Sequence, residues 1–190
     1  MDKNVFSFTP TINDERQSLS IKDGTIASFQ RIVGRNSQTE SSRRHSNVFD
    51  VAKYILHELG SMTTMKLQKL VYYCQAWSLA WDEEPLFDEE FEAWANGPVC
   101  PALYDAHRGQ YVIHETDLVQ GNIGIFTDSQ IDTINTVLNS YGDKAPQWLS
   151  ELTHKERPWL EARGTTPVGE RCNAVISKES MQDYYAGLIQ

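Results

Sequence analysis

Between residues 48 and 81, apolar positions recur at intervals of three and four, the period of an α-helix with a face turned inward. Val48, Val51, Ala52, Ile55 and Leu59 mark a first helix, with Asn47 or Ser46 placed to cap its start and Gly60 to end it. Ser61, Thr63 or Thr64 can cap a second helix, over about 64–81. Set out at about 100° per residue, Leu67, Leu70, Val71, Cys74, Trp77 and Trp81 fall within one third of its circumference. Met65, Tyr72, Ala76 and Leu79 form a narrower stripe opposite, and Lys66, Gln68, Lys69 and Gln75 break the surface between the two. A helix apolar on two sides is central to its own domain or keeps one side for a partner.

The pattern then changes. Seven acids and no base occupy residues 82–92, followed by Phe91, Ala93 and Ala95 on alternate positions, which suit a short strand or a turn of helix. Gly97-Pro98 forces a turn, and Pro101 fits the first turn of a helix that Gly109 stops. Residues 111–130 carry short apolar runs around Gly121 and Gly124, as in a hairpin or an irregular excursion. Asp128 or Ser129 caps the next helix, where Ile131, Ile134, Val137 and Leu138 repeat at three and four. Residues 145–163 read as a short helix, a turn before Pro158 and Trp159, and a loop. Ser177 caps a last helix. These elements make a mainly α, compact helical domain with at most a small β element.

That domain spans 48–190. Ahead of it, residues 34–47 hold no large apolar side chain and read as a flexible linker, closing an N-terminal extension over 1–47. The extension carries seven Lys or Arg against five Asp or Glu, whereas residues 48–190 carry ten against twenty-one. An acidic body repels a phosphate backbone, which argues against nucleic acid as its partner and favours a basic one. No apolar run approaches the ~18 residues of a membrane span, and the start lacks the pattern of an export signal. Three cysteines, without a close pair, fit reduced thiols in a cytoplasm.

Catalytic constellations are weak. His57-Glu58 lacks the second histidine of a zinc-protease helix, since Ser61 stands there, and the histidines and cysteines have no ligand spacing. No phosphate loop, dinucleotide fingerprint or nucleophile elbow occurs, so no metal or cofactor is expected. Cys74 sits in the middle of the main stripe as a small core hydrophobe. Cys100 with His107, or a pair from the acidic run, leaves an uncharacterised hydrolase as an alternative. The acidic run itself reads as a solvent-facing loop, suited to a basic partner.

"VAKYIL" at 51–56, "MKLQKLVYYCQAW" at 65–77, "PLFDEEFEAWANGPVCPALY" at 85–104 and "LTHKERPW" at 152–159 together resemble the Panacea domain, the SocA-like or phage-associated GepA-type family. Family-typical positions are Leu67, Lys69, Leu70, Tyr72, Tyr73, Trp94, Gly97, Pro98, Val99, Tyr104, His154, Pro158 and Trp159. The resemblance implies a helical antitoxin of bacteria, phages and prophages that binds its cognate toxin protein directly. One branch instead delivers its toxin to a AAA+ protease. Under that reading Tyr72, on the second stripe, and Trp94, Asn96, Gly97, Pro98 and Val99 around the turn are the expected partner-binding residues, since amphipathic rings serve as binding anchors.

Overall fold

The computed structural model describes residues 45–189; the rest of the N-terminal extension, including most of the expected linker, lies outside the described residues. Seven helices are present among them: α1 (Val48–Leu59), α2 (Thr64–Trp81), α3 (Pro101–His107), α4 (Asp128–Tyr141), α5 (Pro146–Thr153), α6 (Arg157–Arg163) and α7 (Lys178–Gly187). Two small antiparallel sheets complete the domain. One pairs β1 (Met62–Thr63) with β4 (Val112–Ile113); the other orders β3 (Gly97–Val99), β2 (Phe91–Trp94) and β5 (Val175–Ile176). The mainly α class expected from the sequence is therefore the observed one, with two short-stranded sheets in place of a single small element.

Helix α2 is the axis of the domain, packed by α1, α4, α5 and α7. Thr63 caps it, its hydroxyl accepting from the Lys66 amide at 3.3 Å. Leu67, Leu70, Val71 and Cys74 of the main stripe are wholly buried, but Trp81 at the helix end is 40 % exposed. Most of the second stripe is interior as well: Tyr72 and Ala76 are at 0 % and Leu79 at 4 %, with Met65 half-buried at the helix start. The partner-surface expectation for Tyr72 is thereby corrected. Its ring meets Tyr73, Phe91 and Tyr185 edge-on, because α7 and β2 cover the side that the sequence left open.

Three of the four polar residues between the stripes are interior too, Lys66 alone staying partly exposed. Gln68, Lys69 and Gln75 are 3 %, 1 % and 0 % exposed, not surface breaks. Each bonds to backbone groups at the turns and loops beside α2. Gln75 donates to the Phe87 carbonyl at 2.9 Å and accepts from the Leu86 and Phe87 amides, so its amide pins the acidic loop much as a neighbouring strand would. That loop divides by residue type: Leu86, Phe87 and Phe91 plug the core, while Glu83, Glu84, Asp88 and Glu90 face solvent.

Asn47 caps α1 in a full capping box with Asp50. Thr127 caps α4, one residue ahead of the expected Asp128 or Ser129, because Gln130 completes a box with it. The loop expected after Pro158 is instead α6, whose first turn accepts a proline lacking an N–H. Residues 111–126 form an irregular excursion with two 3₁₀ turns, Glu115–Asp117 and Ile123–Ile125, tied back through β4. No described helix is long and apolar enough to cross a membrane.

Candidate functional site

The Glu-Ala-Trp-Ala-Asn-Gly-Pro-Val run forms the β2–β3 hairpin, with Trp94 opposite Gly97. Ala95 and Asn96 keep negative φ, and Gly97 takes φ 99, which glycine alone adopts without strain. A Cβ there would lie 2.6 Å from Thr153 Oγ1 and 2.8 Å from Lys69 Cε. Glycine thus serves both the turn and the close approach of α2 and α5.

Side chains from three helices then bind the hairpin carbonyl by carbonyl. Arg163 of α6 donates to Ala93 O at 2.8 Å, and Trp159 Nε1 donates to Trp94 O at 3.0 Å. Ser150 of α5 donates to Asn96 O at 2.8 Å, and Lys69 Nζ of α2 to Pro98 O at 2.9 Å. Gln68 closes the series, accepting from the Cys100 amide at 2.8 Å and donating to its carbonyl at 3.4 Å. The outer edge of β3 is consequently covered by side chains and presents no open ladder. His154 stacks on Trp159 with ring centroids 4.2 Å apart, and the Arg163 guanidinium lies over the other ring system of that stack at 4.8 Å from Trp159.

This arrangement explains why the separated motifs occur together. Lys69, Trp94, Gly97, Pro98, His154 and Trp159, which lie up to 90 positions apart in sequence, meet in one node. Of the expected partner residues, Gly97, Pro98 and Val99 are buried within it; Trp94 is half-buried and Asn96 exposed at the tip. Trp94 packs edge-on against Tyr104 at 4.8 Å, and its indole donates to Glu92 at 2.6 Å.

Electrostatically the node is costly. Among the described residues Lys69 has one carbonyl acceptor and no counter-ion, and burial pushes its ammonium down to about 7. Burial also lowers the His154 imidazole, with Lys69 and Arg163 adding to the effect. A second buried ion lies in the neighbouring aromatic core. Glu156, 5 % exposed, accepts from Tyr73 at 3.2 Å and from Tyr185 at 2.8 Å, and burial raises its carboxyl to about 7.

The thiols are placed for packing. Cys74 and Cys100 are both at 0 % exposure, and burial raises Cys100 to about 11 and Cys74 further still. The ring of His107 lies 3.0 Å from the Gln68 side-chain nitrogen, so its Nε2 is engaged by α2.

Outside the hairpin lies an acidic face. A recess of ≈ 380 Å³ is bordered by Asp88, Glu89, Glu90 and Glu92, with Val175 and Pro101 as apolar wall. None of these four carboxylates forms an ion pair among the described residues; Glu89 caps α1 by accepting from the Val48 amide, and Glu92 holds Trp94 and Asn173. Val175 itself is 46 % exposed.

Glu156 and Arg163 carry no mark in the sequence pattern, and Gln68 and Gln75 read there as surface polar residues. For Gln68 and Gln75 the available signal is that they lie on a helix apolar on two sides.

Residues 67–160 match the family model of the antitoxin SocA-like, Panacea domain. No curated protein and no solved structure matches the chain.

Proposed function

We propose that this chain, which carries a Panacea domain, is an antitoxin that neutralises a cognate toxin protein by binding it directly. The observation that carries the reading is the antitoxin-family match, whose bounds enclose the hairpin and nearly all the side chains that hold it. Those side chains are spent on the fold. What remains free to meet another protein is the outer face: the tip at Asn96, the half-buried edge of Trp94, and the acidic recess beside them.

A basic toxin suits that face. Carboxylates that outnumber the one neighbouring cation, Lys178, which is held by the Asp88 carbonyl at 2.7 Å, attract an oppositely charged surface and raise its capture rate, while Val175 and Trp94 offer apolar area for a close contact. The chemistry is that of a binder rather than a catalyst, since burial holds the thiols of Cys74 and Cys100 protonated and the ring of His107 is engaged by Gln68.

The test is co-expression with the product of the adjoining reading frame. Restored growth, together with co-purification of the two proteins, supports direct neutralisation. Restored growth that disappears in a host lacking a AAA+ protease, with no complex recovered, overturns it in favour of delivery for degradation.

A further inference from the structure

Helix α7 closes the aromatic side of α2, and its attachment runs through Glu156. The Tyr185 hydroxyl donates to that carboxyl at 2.8 Å, while the Tyr185 ring meets Tyr72, Tyr73 and Trp77 edge-on. Among the described residues the surroundings of Glu156 contain phenols, and no cation pairs with it. From α2 come Tyr72 and Tyr73, from α4 Tyr141, and from α7 Tyr184 and Tyr185. The nearby bases point elsewhere: Arg157 pairs with Glu161 at 3.5 Å, Arg163 donates to Ala93, Pro167 and Glu170, and Lys69 donates to Pro98.

Burial favours the neutral form of a carboxyl so placed, and outweighs the two phenol donors, which favour the ionised one. Ionised, it has two phenol donors and no opposite charge, in a site closed to water. The least costly escape is to let solvent in, and the element that can yield is α7. It is the last helix in the described chain, joined to α6 by an irregular stretch with one two-residue strand.

We infer that α7 is a proton-linked latch, docked tightly on α2 while Glu156 holds a proton and loosened when Glu156 ionises. Loosening uncovers the rings of Tyr72, Tyr73 and Trp77, an aromatic face otherwise shut. The direction follows from linkage. The docked state holds the proton up to about 7 and the undocked state only to its ordinary value of 4.5. Docking is therefore fully favoured below 4.5, weakens as pH rises through the interval, and levels off above neutrality.

Hydrogen exchange on the full chain, read by peptide at pH 6 and pH 8 and corrected for intrinsic exchange, tests this. The α7 amides should lose about tenfold in protection between the two pH values while α1 keeps its own. Glu156→Gln, which stays neutral, should abolish the difference. Tyr185→Phe, which keeps the ring and removes the shorter donor, should lower α7 protection more at pH 8 than at pH 6, and it decides the matter should the Gln variant not fold. Equal α7 protection at both pH values in the native chain overturns the latch. So does a loss shared equally by every helix, or one that persists undiminished in Glu156→Gln.

Discussion

The Lys69 ammonium, at the centre of the domain, donates to the carbonyl of Pro98 at the far end of the hairpin turn, 29 positions along the chain and 2.9 Å away in space. This bond joins the longest helix to the hairpin tip, and it does so with a charge that burial strongly disfavours. The native fold thus holds Lys69 to about 7, against 10.5 when solvated. Neutral Lys69 is the form the fold prefers, so its contribution is complete above 10.5 and is lost as pH falls toward 7. Wild-type stability in denaturant should gain a few kcal/mol on this account between pH 7 and pH 10. Lys69→Met should remove that slope, and an unchanged slope would show that Lys69 is solvated.

Gly97→Ala sets a Cβ against Thr153 and Lys69 at a backbone angle that alanine resists. It should cost about 2–4 kcal/mol, read as a lower urea midpoint. Loss below 0.5 kcal/mol would mean that the hairpin is not seated on α2 and α5 as described.

Gln75→Leu preserves bulk and removes the amide that serves Leu86 and Phe87. Leaving those buried backbone groups without partners should cost about 2–4 kcal/mol and expose the 82–90 loop to proteolysis at positions protected in the native chain. Leu70→Asp and Tyr72→Asp should both abolish folding by circular dichroism, since each places a carboxylate at a position with 0 % exposure. Tyr72→Phe, which keeps the ring, should remain folded.

The helices of the body were legible because Val51, Ile55, Leu67, Leu70, Ile134 and Leu138 keep a helical period. The caps at Asn47, Thr63 and Ser177 follow from side chains that satisfy free amides. What the pattern hid was depth. Periodicity tells which side of α2 is apolar, not that α7 arrives from more than 100 residues away to cover Tyr72. Likewise Gln68, Lys69 and Gln75 read as surface because their partners are backbone groups, which leave no trace in residue type. The stretch after Pro158 reads as loop although it is helical, since a proline early in a segment marks a helix start as readily as a break. The hairpin was foreseen as a turn, but the helices that clasp it were not.

Asp88→Lys with Glu90→Lys reverses two exposed charges of the acidic recess without touching the hydrogen bonds that hold the loop. The double variant should melt within about 0.5 kcal/mol of wild type yet bind a basic toxin at least tenfold more weakly, chiefly through slower association at low salt. Unchanged affinity and salt dependence would move the binding face away from this recess.

Direct neutralisation is tested most plainly with two purified proteins, this chain and the product of the adjoining reading frame, mixed without protease or ATP. Size-exclusion chromatography with mass detection, followed by an assay of the toxin's activity on the same fractions, gives the answer. A complex of fixed stoichiometry in which the toxin is inactive is the expected result. Separate elution with toxin activity intact would contradict neutralisation by binding.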